Sequence, residues 1–317
     1  MRYEQGYRPR ASAPALRFGS LVHLGLEAWW LARNEGDPLT AMFARLDASA
    51  REPDVQLDPY EIARAHAMLL GYHERWIDAP VEVLAVERRF EAQLVNPETG
   101  RASRTFALAG KVDAIARFHD HGGRVYVVEH KTSREDLAPG SPYWRRLRID
   151  SQVSHYHRGA QSLGYDVAGC IYDVLGKPSS APRLATPVES RKYTKPSKAE
   201  PEPRLYAGQR DTDETPGEYQ DRILESLAAD PARYYQRVEV VRLDADIARH
   251  DQDVWAWASA IRDARRTGVH QRSGACFTYG RECEFYEVCT GVGTLDDARF
   301  ERVENIHPEL VESEEHQ

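Results

Sequence analysis

Gly110-Lys111-Val112-Asp113-Ala114-Ile115-Ala116-Arg117-Phe118 runs into His119-Asp120-His121-Gly122-Gly123 and continues as Arg124-Val125-Tyr126-Val127-Val128-Glu129-His130-Lys131. Two apolar, β-branched runs flank a Gly-broken turn, the pattern of a β-hairpin. Side chains alternate along a strand, so Glu129 and Lys131 share one face and His130 takes the other. A hairpin symmetric about His121 pairs residues whose numbers sum to 242 and sets Asp113 opposite Glu129. Their Cβ atoms then lie ~5 Å apart. Two carboxylates so placed repel unless a positive charge sits between them. A divalent cation is the simplest such charge, and carboxylate oxygens suit Mg²⁺ or Mn²⁺. The backbone carbonyl of His130 is a further candidate ligand. Lys131 beside the metal can position or polarise an attacking water, or offset charge building on a phosphate.

The alternative reading of this trio is a surface hairpin with a Glu/Lys pair. Against it stands Val125-Tyr126-Val127-Val128, apolar enough for a buried central strand. Gly110 inside the first strand points to a bend or a close backbone approach. Gln152 and Tyr156 follow on a predicted helix, four apart and so on one face. There they can contact a phosphate or orient the lysine; their plain alternative is ordinary helix surface.

The 317-residue chain is long enough for a full core, as one large domain or two modest ones. Its 29% charged and 41% hydrophobic residues match soluble globular proteins. No apolar run approaches the ~18 residues that a bilayer-spanning helix needs. The polar, charged residues 1–10 do not read as a signal peptide, and a cytoplasmic location is expected. Four cysteines at this length are no disulfide framework. The net charge of −8 argues mildly against nucleic acid, yet residues 301–317 hold six Glu against one Arg and read as a solvated acidic tail. Arg145, Arg146 and Arg148 form one basic run; Arg191, Lys192, Lys195 and Lys198 form another. Phosphate contacts act locally, so a nucleic-acid enzyme needs a basic track, not a basic protein. The plain alternative for both runs is a solvated surface.

Apolar spacing predicts helices over 18–32, 38–48 and 59–76, the last opened by Asp58-Pro59. Strands are predicted over 81–94, 105–118, 124–131, 167–175 and 235–243, and further helices over 149–163, 218–229 and 247–266. Residues 177–216 carry seven prolines and read as an extended excursion or long hairpin. This order predicts an α/β fold with a mixed central sheet flanked by helices. The expected organisation is a helical N-terminal part over 1–80, a core over 81–295 that includes the excursion and a cysteine-bearing segment at 276–289, and an acidic tail over 296–317.

Four short motifs occur in order: Gly19-x-x-x-His23, Gly110-x-x-Asp113, Glu129-x-Lys131 and Gln152-x-x-x-Tyr156. Together they resemble the PD-(D/E)XK nuclease superfamily, specifically its RecB/AddB-like branch and the related CRISPR-associated four-cysteine exonucleases. The resemblance covers most of residues 15–175. It implies a restriction-endonuclease-like core. It also implies that His23 joins Asp113 and Glu129 as a metal ligand, that Lys131 is the catalytic lysine, and that Gln152 and Tyr156 support the site or touch DNA. Glu87 corresponds to an acid that often precedes the metal Asp. The implied activity is Mg²⁺- or Mn²⁺-dependent hydrolysis of DNA ends by a metal-activated water, an exonuclease or end-processing reaction in repair or recombination. No Gly-x-x-x-x-Gly-Lys-Ser/Thr loop occurs, so a helicase or recombination partner would be a separate chain. Two other classes remain: a catalytically silent DNA-binding scaffold of the same fold, and a non-nuclease iron–sulfur or zinc protein.

Cys276, Cys283 and Cys289 lie within fourteen residues and suggest a metal or cluster site. The resemblance implies a 4Fe-4S cluster held by these three and a fourth cysteine ahead of the Gly19–His23 motif. That fourth ligand is missing from this chain, so either the true start lies upstream or the cluster has been lost. Cys170 sits in the apolar run 167–175 and reads as core. Zinc, the alternative occupant, also takes four ligands in a structural site.

Overall fold

A computed structural model describes residues 1–10, 14–52, 57–195, 202–270, 272, 275–278, 281–307 and 310. Its helices are α1 (Pro14–Ala32), α2 (Pro38–Ala50), α3 (Pro59–Trp76), α4 (Ser151–Ser162), α5 (Pro216–Ala229) and α6 (Asp244–Thr267), with shorter turns between them. The central sheet holds β1 (Val81–Val95), β2 (Ala102–Phe118), β3 (Arg124–Ser133), β4 (Cys170–Gly176) and β5 (Tyr235–Val240), side by side in chain order. The first three strands form an antiparallel meander, β3 and β4 run parallel, and β5 returns antiparallel. The sheet is therefore mixed and flanked by helices, as the element order predicts. Parallel neighbours need a crossover connection, and α4 lies in the one between β3 and β4.

The β2–β3 hairpin turns through a short 3₁₀ segment, His119–His121, and then Gly122 and Gly123, both at φ 71. Only glycine takes that left-handed backbone without penalty. The turn sets the register, and Ala114↔Val128 through Phe118↔Arg124 all sum to 242, the pairing expected from symmetry about His121.

One face of the sheet packs on α1, α2, α3 and α5, with Trp29, Trp30, Tyr72 and Tyr219 fully buried. The other face packs on α4 around Phe90, Val127 and Tyr172. The Phe90 ring explains Gly110. A Cβ on Gly110 would come within 2.7 Å of that ring, and one on Gly159 of α4 within 2.5 Å. The close approach expected at Gly110 is thus an aromatic ring wedged between strand and helix.

Helix starts follow local chemistry. Asp58 accepts from the Tyr60 N–H at 2.7 Å and opens α3 at the predicted Pro59. Asp150 caps α4, which therefore begins two residues after the predicted start. Thr215 and Glu218 form a capping box on α5. β5 stops short of its predicted end at 243. Arg242 leaves the sheet there, and its Nη2 donates to Leu147 O at 2.7 Å and Asp150 O at 2.8 Å, tying down the start of α4.

Two segments differ from expectation or refine it. Residues 1–10, for which the sequence pattern predicts no element, form a helix at Arg2–Gln5 and a strand at Tyr7–Pro9 that pairs with Phe300–Arg302. A three-residue strand is too short to show a period, so sequence pattern does not reveal it. The Pro-rich excursion is a long hairpin, in which Thr186, Thr194 and Tyr206 donate to Arg210, Arg204 and Lys192 carbonyls. Residues 196–201, with Lys198, lie outside the described residues, as do 308–309 and 311–317 of the expected acidic tail. No helix among the described residues is long and apolar enough to cross a membrane.

Candidate active site

The β2–β3 ladder stops at Ala114↔Val128. The next pair in register is Asp113 and Glu129, and there a side chain replaces the ladder. Asp113 Oδ2 accepts from the His130 backbone N–H at 2.8 Å. The same oxygen lies 3.8 Å from His23 Nδ1 on α1. Glu129 is 2% exposed; its Oε1 pairs with Lys131 Nζ, and its Oε2 has no hydrogen-bond partner. On α4, Gln152 Nε2 donates to the Tyr156 hydroxyl at 2.8 Å. These six side chains line one cleft of about 920 Å³. A second cleft, of about 640 Å³, shares His23, Lys111, Asp113 and Lys131 with the first. Gly19 lines that second cleft and has room around it, since a Cβ there would meet only Thr132 Oγ1, at 3.8 Å.

Burial pushes the Glu129 carboxyl well above the usual range, Asp113 adds to this, and Lys131 opposes it. Burial alone would lower the Lys131 ammonium, but Glu129 outweighs it and holds the lysine charged. Burial lowers His23 and takes His130 down to about 3, so that ring is neutral. The Tyr156 hydroxyl is pushed far up by burial and by the nearby Glu129 and Asp113 charges. Glu87, on β1, is pushed up to about 7 by burial.

Behind the cleft lies a second polar cluster. The His130 ring faces away from Glu129, 5.3 Å from the Trp30 ring, and its Nδ1 is 3.6 Å from Asp173 Oδ2. Asp173, on β4 directly beside His130 in register, is wholly buried. It accepts from Tyr72 OH at 2.6 Å and Arg237 Nε at 3.0 Å. The Arg237 guanidinium also stacks 4.2 Å from the Trp76 ring. The motifs in the sequence do not mark Asp173 or Arg237. The available signal was an Asp inside the apolar run 171–175, where a buried strand tolerates a charge only with a partner.

The family model of the PD-(D/E)XK nuclease superfamily matches residues 1–290. The chain belongs to this superfamily. No curated protein sequence matches it. Among solved structures, the crystal structure of SSO0001 is similar at 15% identity, over 67% of this chain and 72% of that one, with a TM-score of 0.22. That likeness is too small to argue from.

PD-(D/E)XK nucleases generally use divalent metals, and the donors here can be tested against one. Two carboxylates and an imidazole face one cleft, and Glu129 Oε2 lacks any protein partner. Hard oxygen donors of this kind fit Mg²⁺ or Mn²⁺, which bind through few protein ligands and several waters. The side chains do not close into a shell: among the described residues, no three His, Cys, Asp or Glu gather tightly enough to hold an ion unaided. Cys276 and Cys289 are half-buried, Cys283 is exposed, and Cys170 is buried in the sheet core. No metal-holding group forms around any of them among the described residues. Nothing among the described residues supports the expected 4Fe-4S site.

Proposed function

We propose that the chain is a metal-dependent deoxyribonuclease of the RecB/AddB-like branch, trimming or processing DNA ends. The observation that carries this reading is the break in the β2–β3 ladder. There Asp113 takes the His130 N–H beside Glu129, Lys131 and His23. His23, Asp113, Glu129 and the His130 carbonyl would hold Mg²⁺ or Mn²⁺. An ion held there would supply positive charge beside the phosphate and make water a better nucleophile. Lys131 keeps its proton and donates it in hydrogen bonds, to the attacking water or to a phosphate oxygen. Tyr156 also stays protonated. Its oxygen accepts from Gln152, which leaves the hydroxyl proton free to point at substrate. The division into a helical part over 1–80, a core over 81–295 and an acidic tail belongs to this reading. So do a role in repair or recombination, a cytoplasmic location and DNA delivery by a separate helicase.

A catalytically silent DNA-binding scaffold is the second reading, favoured by side chains that do not converge around a point. End-labelled linear DNA incubated with Mn²⁺ separates the two. We expect progressive loss of the label, sparing of covalently closed circles, and full inhibition by EDTA. DNA that is bound but left intact in Mn²⁺ would favour the scaffold.

A further inference from the structure

Asp113 has a second Glu–Lys pair beside it. Lys111 lies two residues earlier on β2, on the same face of the strand. Its Nζ pairs with the Glu87 carboxylate of β1. Glu87 sits at the register position opposite Asp113, between the pairs Val86↔Ala114 and Arg88↔Val112. Its φ is 50, and among the described residues it is the only non-glycine with a positive φ. Residues with side chains rarely adopt that conformation, and where it persists it clusters at functional sites. The Lys111 side chain is 39% exposed and that of Glu87 15%, so the ammonium is open to a ligand while its carboxylate partner is largely enclosed. Lys111 also lines both clefts, together with His23, Asp113 and Lys131. Asp113 thus shares its clefts with two ammonium groups, each paired with a glutamate.

We propose that Lys111 binds a DNA phosphate at the rim shared by the two clefts, and that Glu87 positions its ammonium. The inference takes its ligand class from the nuclease reading, but its test needs no cleavage. A polyanion entering a cleft lined by Asp113 and Glu129 meets repulsion. A second fixed cation in the same clefts as Lys131 offsets that repulsion and gives the strand a second point of attachment at the site.

The test is equilibrium binding of a labelled single-stranded oligonucleotide in metal-free buffer across a range of salt. Each phosphate contact contributes roughly 0.7 to the slope of log K against log salt on single strands. Lys111→Met keeps the aliphatic stem and removes only the charge. Its slope should be shallower than wild type by about that amount, and Lys111→Arg should restore it. Glu87→Gln removes a negative charge, so simple electrostatics has it tighten DNA binding. A positioning role has it weaken binding severalfold instead. An unchanged slope in Lys111→Met would overturn the phosphate contact, and tighter binding by Glu87→Gln would overturn the positioning role. If the slope falls but wild type cuts no DNA in Mn²⁺, the nuclease reading fails and the phosphate site stands. If wild type cuts and the slope is unchanged, the reverse holds.

Discussion

Replacing Lys131 with alanine is expected to slow Mn²⁺-dependent DNA cleavage by on the order of 10²–10⁴-fold while leaving the fold intact. Lys131 is the cation closest to Glu129, and it stands at the cleft with its side chain 34% exposed, open to substrate. Its loss removes a fixed positive charge from the place where, in the proposed reaction, a phosphate would gather negative charge. The fold should tolerate the change. Glu129 would be left buried without its partner, but burial and Asp113 already favour its protonated form, so it takes up a proton rather than remaining a naked charge. Single-turnover rates, measured beside DNA affinity and thermal unfolding, check this. A rate within about threefold of wild type, far short of the effects seen when a charge-stabilising group is lost, would remove Lys131 from the chemistry.

Asp173→Ala should act on the opposite face and in the opposite manner, costing stability of about 3–5 kcal/mol. Asp173 is wholly buried and, among the described residues, is the one carboxylate paired with Arg237, whose side chain is only 9% exposed. Without it, a guanidinium stays enclosed by Trp76, Trp30 and Tyr72 with no counter-charge, and the Tyr72 hydroxyl loses its acceptor. At roughly 2–4 °C per kcal/mol for a chain of this size class, the midpoint of thermal unfolding should drop by about 6–20 °C. Removing both charges with Asp173→Ala/Arg237→Met should recover part of the loss, because the penalty comes from the stranded partner more than from the lost pair. Urea denaturation of the single and double variants measures this. A cost under about 1 kcal/mol for Asp173→Ala, the scale of a surface pair, would contradict the account.

The parts of the molecule legible in sequence are those governed by local rules. The hairpin register follows from alternation and from two glycines at a turn, so the juxtaposition of Asp113 and Glu129 is readable. Helix α3 begins where Asp58-Pro59 says it should. What was hidden depends on partners far apart in the chain. Tyr72 and Asp173 meet across 101 residues, and Asp173 and Arg237 across 64. The Asp alone signals that a partner exists, and nothing in the pattern says which. Likewise, the strands Tyr7–Pro9 and Phe300–Arg302 join the two ends of the chain through a pairing too short and too remote to show a period. Glu87 was noticed through family resemblance, but its left-handed backbone and its hold on Lys111 have no sequence signature.

Asp113, Glu129 and His23 are expected to bind one divalent cation at the broken end of the β2–β3 ladder. Calorimetric titration of wild type and Asp113→Asn with Mn²⁺ tests it. Saturable binding is predicted for wild type, with affinity rising as pH rises, because burial raises the Glu129 carboxyl and the ion must displace its proton. Asp113→Asn should bind at least roughly tenfold more weakly. Equal Mn²⁺ affinity in the two proteins would contradict the account.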